Sequence, residues 1–467
     1  MTKLTVSEPL ADTLGRFAAH PVESAGVLLV GVAASHGREP RLLAREFVEI
    51  PETEYLAREA DRLELTSGGW VPALTRAAEA GSAALFVHTH PNGAPVPSEH
   101  DRRVDEQIYD TFAVRTGQSC YGSLVLTSSS AAPGFLFTGQ VWLEGRTPSD
   151  TPEGTSRITE CLTIGRRFRL SVAFDARGDA ALSSQFDRQI RAFGGDVQSL
   201  LGSLHVGVAG AGGTGSAVLE QLVRLGVRQL TVVDPDTLST SNVTRVFGSR
   251  LEQVGSAKAQ LQADHLKGIA PDLDVRVHVA RTTDLDAAHA LSGCDVVFGC
   301  TDDDAGRIVL SRLASYYLIP VIDCGVLLAS DNGNMQGIYG RVTTLTPGAA
   351  CLLCRNRIDV ARAGAELMEE EELRDLQAEG YAPELGGIEP AVVPYTTLVA
   401  ALAVGELLER LIGYGADPAP TELIARIHDR ELSTNSRLPN QGHFCDPASG
   451  LIGLGDTTPM LHWSWSA

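Results

Sequence analysis

Residues 204–236 read LHVGVAGAGGTGSAVLEQLVRLGVRQLTVVDPD. Within this stretch an apolar run leads into a turn formed by four glycines, Gly210, Gly212, Gly213 and Gly215. A helical pattern follows, and then a second apolar run that ends at Asp234. Strand, glycine-rich turn, helix and strand in this order are typical of a βαβ unit on a parallel sheet. Because glycines let the backbone approach a phosphate and a helix N-terminus attracts the anion, the stretch predicts a nucleotide site with Asp234 at a ribose hydroxyl.

The residues beyond Asp234 distinguish between two uses of such a site. A dinucleotide oxidoreductase is the default interpretation of a glycine-rich loop of this kind. However, the chain also carries polar and charged residues suited to a triphosphate and its metal: Arg188, Asn242, Arg245, Lys258 and Asp302. Attack of a carboxylate on the α-phosphate of ATP develops negative charge that cations must hold, and Mg²⁺ needs a carboxylate. Hydride transfer needs neither, so the pattern favours adenylation with ATP and Mg²⁺.

These segments resemble the ThiF/MoeB/HesA class, the bacterial relatives of ubiquitin-activating enzymes, over about residues 184–430. The resemblance implies a Rossmann-like, doubly wound α/β sheet that adenylates the C-terminal glycine of a ubiquitin-like protein. It implies that Asp234 binds the ribose and that Asp302 holds Mg²⁺, while Asn242, Arg245 and Lys258 bind the phosphates.

One family pattern is only partly kept. The family sequence R-x-x-R-Q appears with Gln185 in place of its first arginine and with Arg188 as its second. In the family this second arginine reaches into the ATP site of the partner subunit. The resemblance therefore implies a catalytic role for Arg188 and a homodimer.

A second group of polar residues follows the apolar run ALFVHTH, residues 84–90. His88 and His90 are two residues apart, so on a strand they share one face. Asp101 is expected in the first turn of the next helix, where its carboxylate can point back at the strand end. Two histidines and one aspartate leave a fourth position for water, which is the arrangement of a catalytic zinc site. A general base must then take a proton from that water, and Glu23 is the candidate.

The full pattern, H-x-H-P-x(6)-S-x(2)-D, resembles the JAMM signature of the JAB/MPN isopeptidases. These enzymes remove ubiquitin-like proteins from lysine side chains or trim their C-terminal extensions. The resemblance covers about residues 1–140 and implies a cytidine-deaminase-like α/β domain in which His88, His90 and Asp101 bind Zn²⁺. It further implies that Glu23 acts as general base and acid and that Ser98 stabilises the oxyanion. Taken singly, each fragment has a plainer interpretation, such as a helix capping box for Ser98 and Asp101.

Cysteine spacing predicts a second zinc site. Cys351 and Cys354 stand where ThiF-like proteins have the first half of a four-cysteine structural site, but only Cys445 remains of the second half. We predict Zn²⁺ bound by these three cysteines and completed by His443. The alternative is three buried or idle thiols.

The chain departs from thioester-forming relatives in one further respect. Such relatives carry a nucleophilic cysteine after the first cysteine pair, whereas no cysteine lies between Cys354 and Cys445. We therefore expect an acyl-adenylate product without an obligatory enzyme thioester. Cys300 and Cys324, which end two apolar runs, can substitute for that nucleophile but are better interpreted as buried structural thiols.

Bulk properties agree with two globular enzymes in one chain. The chain has 467 residues, 43% hydrophobic and 21% charged, which suffices for more than one core. We predict a JAB/MPN domain at 1–145, a Ser/Thr/Pro-rich linker at 146–183, an adenylyltransferase domain at 184–435 and an irregular tail at 436–467. The net charge of −20 argues against nucleic acid as a partner. Without an export signal or a membrane-length apolar run, a cytoplasmic location is expected.

Three functional hypotheses follow from these patterns. The first is an enzyme that adenylates a ubiquitin-like protein and also hydrolyses bonds to it, with a conjugating enzyme as a further partner. The second is activation of a sulfur carrier for thiocarboxylate formation, with a sulfur donor as partner. The third is a scaffold that binds a ubiquitin-like protein without cutting it.

Overall fold

The computed structural model describes residues 2–35, 38–91, 93–131, 133–143, 156–176, 183–331, 333–378, 383, 385 and 390–456. Contacts divide the chain into two compact units. Of the described residues, the first unit comprises those up to 176 together with 316–318 and 451–456. The second unit comprises 183–315 and 319–450.

The first unit is built on an eight-stranded sheet with the order β1-β3-β2-β6-β7-β8-β9-β10. A further pairing of β1 with β9 closes this sheet on itself. A separate hairpin is formed by β4 and β5. The strands are β1 (Thr2–Ser7), β2 (Ala25–Ser35), β3 (Arg38–Glu49), β4 (Tyr55–Arg58), β5 (Leu63–Leu65), β6 (Ala83–Thr89), β7 (Cys120–Ser128), β8 (Phe135–Leu143), β9 (Ser156–Ile164) and β10 (Phe168–Val172). The helices are α1 (Glu8–Ala18), α2 (Val71–Glu79) and α3 (Glu99–Thr116).

Helices cover both faces of this sheet, which explains why every residue of β6 is buried. On β2, Leu28 and Val30 join the core that contains α1, while Val27 and Leu29 join the core that contains α2 and α3. Successive side chains of a strand point to opposite faces, so a strand between two cores is apolar on both sides.

Part of the predicted linker is wrong. Within 146–183, residues 156–164 and 168–172 form β9 and β10, and β9 pairs in parallel with β1 along its length. Ile158, Cys161 and Leu162 are buried in the sheet. The first domain therefore continues beyond residue 145. Residues 144–155 and 177–182 of the predicted linker lie outside the described part of the chain.

The second unit is built on a sheet with the order β13-β12-β11-β14-β15-β16-β17-β18. Neighbouring strands from β13 to β15 are parallel, and the remaining pairs are antiparallel. The strands are β11 (His205–Ala209), β12 (Gln229–Val233), β13 (Asp274–His278), β14 (Val296–Gly299), β15 (Val321–Asp331), β16 (Asn334–Leu345), β17 (Glu422–Arg426) and β18 (Glu431–Asn435). The helices are α4 (Asp187–Phe193), α5 (Gly195–Ser203), α6 (Gly213–Leu225), α7 (Lys258–Ile269), α8 (Leu285–Ser292), α9 (Asp304–Tyr316), α10 (Val360–Glu366), α11 (Glu370–Ala378) and α12 (Val393–Ile412).

The strand order reverses direction between β11 and β14, since β12 and β13 lie on one side of β11 and β14 and β15 on the other. In a parallel sheet such a switch point leaves a crevice at the carboxyl ends of the strands, where ligands bind. The predicted α/β class with a Rossmann-like sheet is confirmed.

The predicted tail at 436–467 does not behave as one segment. Residues 436–450 belong to the second unit and include a 3-10 turn at Pro447–Ser449, whereas 451–456 belong to the first unit. Residues 457–467 lie outside the described range. Among the helices of the described residues, none is both long and apolar enough to span a bilayer.

Candidate active sites

His88, His90 and Asp101 come together at the carboxyl end of β6. Their ligand atoms all lie within 4.8 Å of one another. His88 Nε2 is 3.4 Å from Asp101 Oδ1, and His90 Nε2 is 3.6 Å from Asp101 Oδ2. Neither ring nitrogen of the buried His88 makes a hydrogen bond within the described residues, which is costly unless a metal or water takes that place. The three side chains therefore fit a metal ion with an open coordination position.

The start of α3 fixes the direction of the Asp101 carboxylate. The Ser98 hydroxyl accepts a hydrogen bond from Asp101 N at 3.2 Å, and Asp101 Oδ2 accepts one from Ser98 N at 2.6 Å. The capping-box interpretation and the ligand interpretation of these residues thus hold together, because one carboxylate faces both the helix end and the histidines. Burial raises the pKa of Asp101, but the neighbouring His88 and His90 lower it more, so it lies well below its usual range.

His90 is oriented by the turn that follows β6. Its Nδ1 lies 3.1 Å from the carbonyl oxygen of Ala94, which leaves Nε2 facing Asp101. A backbone carbonyl on the far nitrogen of a metal-binding histidine is a common orienting contact. The nearby Asp101 carboxylate raises the pKa of His90, and burial opposes that shift.

Two further carboxylates are associated with this cluster. Burial raises the pKa of Glu23, and the positive charges of His90 and His88 oppose that shift. The Glu23 carboxylate therefore interacts electrostatically with the cluster. Asp105 lies one helical turn beyond Asp101, is buried, and accepts hydrogen bonds from Tyr121 Oη at 2.6 Å and from Ser123 Oγ at 3.0 Å. Asp105 was not predicted from the sequence, where its only signal was its position four residues after Asp101, on the same helix face.

A cavity of about 710 Å³ lies at the carboxyl edge of the parallel strands in the second unit. Eight of the predicted nucleotide-site residues line it: Gly210, Gly212, Gly213, Asp234, Asn242, Arg245, Lys258 and Asp302. Gly215 does not line the cavity; it lies in the first turn of α6, where an added Cβ would fall 1.8 Å from the carbonyl oxygen of Gly210. Arg188 lies on α4, exposed and outside this cavity.

Backbone amides hold Asp234 at the end of β12. Its Oδ2 accepts from Ala211 N at 2.6 Å and its Oδ1 from Asp236 N at 2.8 Å. Burial raises the pKa of Asp234, although these amide hydrogen bonds oppose the shift. The Lys258 ammonium lies 2.7 Å from Asp236 Oδ2. The carboxylate of Asp234 and the ammonium of Lys258 thus meet the same cavity from β12 and α7.

Other charged residues of the cavity were not predicted: Arg281, Asp303, Arg307 and Glu366. Arg281 and Asp303 follow β13 and β14, the same edge as Asp234, and this placement was a usable signal. Glu366 comes from α10, where its carboxylate accepts from Ala305 N at 2.8 Å and its carbonyl from Arg281 Nη1 at 3.0 Å. No local pattern links Glu366 to the cavity, because the contact depends on the path of the chain after β16.

Cys351, Cys354, His443 and Cys445 form a second group of metal-type ligands, with ligand atoms within 4.8 Å of one another. His443 Nδ1 lies 3.5 Å from Cys351 Sγ and 3.3 Å from Cys445 Sγ, and the sulfurs of Cys354 and Cys445 are 3.7 Å apart. Three thiols and one imidazole in a closed group fit a four-coordinate structural zinc. The structure thus brings together all four residues that the sequence suggested.

Comparison with known proteins assigns both units. Residues 186–442 match the model of the ThiF family, and residues 15–135 match the model of prokaryotic homologs of the JAB domain. The chain is 30% identical over 177 residues to the SAMP-activating enzyme E1 of Haloferax volcanii, an alignment that covers 37% of this chain and 62% of that protein. It is 28% identical over 253 residues to the molybdopterin-synthase adenylyltransferase of Escherichia coli, covering 52% of this chain and 90% of that protein.

A third relative and a solved structure extend this comparison. Identity to ubiquitin-like modifier-activating enzyme 5 of Dictyostelium discoideum is 28% over 231 residues, covering 46% of this chain and 56% of that protein. The chain thus spans 62% of the length of the archaeal relative and 56% of this one. The crystal structure of E. coli MccB with ATP superposes with a TM-score of 0.43 at 14% identity, covering 56% of this chain and 73% of that one.

Proposed function

Because this chain belongs to the ThiF family and carries a JAB-type domain, we propose that it adenylates the C-terminal glycine of a ubiquitin-like protein and hydrolyses bonds to that protein. One observation carries the adenylation half: a single cavity gathers glycine-loop backbone, a ribose-type aspartate, four cationic side chains and a metal-type aspartate. Relatives named for activating SAMP, a ubiquitin-like modifier and molybdopterin synthase support this reading.

Four residues of the cavity have a definite task in this proposal. The Asp234 carboxylate accepts the ribose hydroxyls, while Arg245 and Lys258 hold the charge that develops on the phosphates during attack by the glycine carboxylate. Asp302 holds Mg²⁺, which when bound neutralises charge on the phosphate oxygens. Lys258 rests on Asp236 and is therefore held in place before ATP enters.

The test of adenylation is pyrophosphate exchange with Mg-ATP and a ubiquitin-like protein ending in Gly-Gly from the same genome. Arg245→Ala and Lys258→Ala should each lower exchange by about 10²–10³, the usual cost of removing a group that stabilises developing charge. Arg250→Ala is the matched control, since Arg250 is exposed and outside the cavity. Exchange that persists in both cavity variants would contradict the proposed site.

The hydrolase half rests on the cluster at the end of β6. His88, His90 and Asp101 would hold Zn²⁺, which when bound acidifies a water and polarises the scissile carbonyl. Glu23 would accept the proton of that water and deliver it to the leaving amine. The Ser98 hydroxyl uses its oxygen to cap α3, so its proton remains available to donate to the oxyanion.

We predict two zinc ions per chain, one in each ligand group. His88→Ala should leave one equivalent with the second unit intact, because the closed Cys₃His site does not depend on it. His443→Ala should also leave about one equivalent but lower the melting temperature, because structural zinc contributes folding free energy directly. Elemental analysis of the purified variants measures this. Two equivalents in both variants would contradict the assignment.

Activation of a sulfur carrier is the second candidate. It is favoured by the lack of any cysteine in the sequence between Cys354 and Cys445, which leaves the adenylate to be consumed by an external partner. A sulfur donor and a conjugating enzyme are the two partners that fit. Incubating the adenylated protein with sulfide and weighing the product by mass spectrometry separates the two: a thiocarboxylate supports sulfur transfer, and an isopeptide formed with a conjugating enzyme supports ligation.

A further inference from the structure

Two cysteines lie on neighbouring strands in the wall of the cavity. Cys300 directly follows β14, and Cys324 lies in β15. The parallel ladder of these strands ends with Gly299 opposite Asp323, so Cys300 and Cys324 are the next pair in register. Both residues line the cavity, and Cys300 is the more accessible of the two. The neighbouring Cys300 thiol, together with burial, raises the pKa of the Cys324 thiol well above its usual range, which agrees with the adjacent positions of the two residues.

The register of the two strands permits a disulfide at this point. Adjacent strands are separated by about 4.8 Å, which lies within the roughly 4.4–6.8 Å between Cα atoms in disulfides. The preferred Cα separation in a disulfide is about 5.5–6 Å. Relaxation of the disulfide to this preferred separation would move β14 and β15 apart by roughly 1 Å at the edge of the sheet.

The glycine-rich loop and Asp302 of the proposed ATP site lie at that edge of the sheet. The Cys300 carbonyl oxygen lies 2.6 Å from where a Cβ on Gly210 would stand, and Cys300 Cβ lies 3.3 Å from where one on Gly215 would stand. Cys300 is thus packed directly against the glycine-rich loop, and Asp302 follows it by two residues. A displacement of about 1 Å in a reacting constellation can lower activity by about 10²-fold.

We propose that Cys300 and Cys324 are an oxidation site whose disulfide turns the nucleotide site off. A hydroperoxide is the oxidant. The Cys300 sulfur forms a bond to the distal peroxide oxygen as the O–O bond breaks, and the thiol proton leaves with the alcohol or water. The Cys324 sulfur then attacks the Cys300 sulfenic acid, the S–O bond breaks, and water departs with the Cys324 proton. Two electrons pass from the thiol pair to the peroxide, and a small dithiol reverses the change.

The test oxidises the full-length protein with hydrogen peroxide, then follows two readouts. Peptide mapping after alkylation should give a linked Cys300–Cys324 pair, with two hydrogen atoms lost from the intact mass. The apparent Kd for Mg-ATP, from thermal-shift titration, should rise at least about tenfold and return to its starting value with dithiothreitol. Cys324→Ala should give no linked peptide, and Cys300→Ala should keep its Mg-ATP affinity through peroxide treatment. Cys294→Ala is the matched control, because Cys294 is also buried in the second unit but does not line the cavity.

Absence of the linked peptide in wild-type protein would overturn the oxidation site. A linked protein with unchanged Mg-ATP affinity would overturn the switch. The affinity readout rests on the nucleotide site proposed above, and the two failures are separable. Mg-ATP titration of the reduced protein judges the nucleotide site, whereas peptide mapping judges the cysteine pair without any nucleotide.

Discussion

Glu23 lies two residues before β2, and the charges of His90, His88 and Asp101 affect the pKa of its carboxylate. We predict that Glu23→Gln abolishes cleavage of a C-terminal extension from a ubiquitin-like protein, by about 10²–10⁴-fold, because the amide keeps the shape but cannot accept a proton. Zinc content and pyrophosphate exchange should not change. Cleavage is measured by mass spectrometry of the released extension.

Glu59→Gln is the control for that experiment. Glu59 is an exposed residue whose backbone carbonyl accepts a hydrogen bond from Glu23 N at 2.7 Å, and its carboxylate has no role in the proposal. Equal loss in both variants would point to a general electrostatic effect and contradict the assignment of Glu23 as the proton acceptor.

Glu422 is a buried carboxylate at the start of β17, surrounded by positive charge. Its Oε1 lies 3.2 Å from Arg357 Nη2, and its Oε2 lies 3.7 Å from Arg355 Nη1. Burial raises its pKa, but the hydrogen bond from Asn435 and the two guanidinium groups lower it more. Glu422→Gln should therefore cost about 3 kcal/mol at pH 7, as is typical when one partner of a buried ion pair is removed. Denaturant titration measures this loss.

The pH dependence follows from the direction of that shift. A carboxyl whose folded pKa lies below its ordinary value of 4.5 stabilises the fold above that pH, and this contribution fades as the pH falls through the folded pKa. The gap between wild type and Glu422→Gln should therefore narrow below about pH 4.5. Glu431→Gln, which removes an exposed partner of Arg426, should change stability little at either pH. A gap that widens in acid would contradict this account.

Some of the site residues follow local sequence rules and could be predicted, whereas others could not. His88 and His90 were recognisable because the two-residue period of a strand is a local rule, and Asp101 because a capping box begins a helix. Asp105 and Glu366 were missed because their contacts, to Tyr121 and to the start of α9, join segments that only the folded chain brings together.

At the scale of elements, the glycine-rich turn contains one glycine that has no room for a side chain and another that has. A Cβ on Gly215 would lie 1.8 Å from the Gly210 carbonyl oxygen, whereas a Cβ on Gly212 would meet nothing within 4 Å. We predict that Gly215→Ala forces the start of α6 away from β11 and lowers the melting temperature by several degrees, as expected for a loss of about 2 kcal/mol or more. Differential scanning calorimetry of the full chain checks this.

Gly212→Ala is the matched variant at the same turn. Gly212 has a φ of −75°, which any residue adopts, so the fold should keep its melting temperature even where Mg-ATP binding weakens. Equal destabilisation by both substitutions would mean that the turn needs glycine for its backbone flexibility. The close approach of α6 to Gly210 would then not be the reason that Gly215 is required.

The misassigned linker is an error at the scale of elements. Its first residues, TPSDTPEGTS, have the composition of a loop, and that signal was extended over the apolar residues of β9. β9 also forms a hairpin with β10 across residues 165–167, so a local signal was present and was overlooked. Its parallel pairing with β1 could not be predicted locally, because β1 is not a neighbour of β9 in the chain. The βαβ elements of the second unit were predictable because each strand is followed by its own helix.

At the scale of the whole molecule, the expected role of Arg188 can be tested only with two different chains in one dimer. Arg188→Ala and Arg245→Ala should each be inactive in pyrophosphate exchange if each ATP site takes Arg188 from a partner. Mixing the two variants under conditions of subunit exchange should restore about a quarter of wild-type activity, because half of the dimers are mixed and each then has one complete site. Wild-type protein measured at the same concentration is the reference.

Failure to recover any activity after mixing, with dimers present by light scattering, would contradict a site shared between subunits. Arg188 would then act within its own chain or not at all. Since Arg188 lies exposed on α4 outside the cavity, recovery is the outcome that gives it a function.

The closure of the first sheet has a consequence for how the protein is made. β1 leaves the ribosome long before β9, which begins at Ser156 and pairs with one of the two edges of β1. At about 5–20 residues per second, the nascent chain carries that open edge for roughly 8–30 s before its partner is synthesised. An unpaired edge is a template for pairing with other chains, so crowded polysomes and slow codons before residue 156 are a hazard for this molecule.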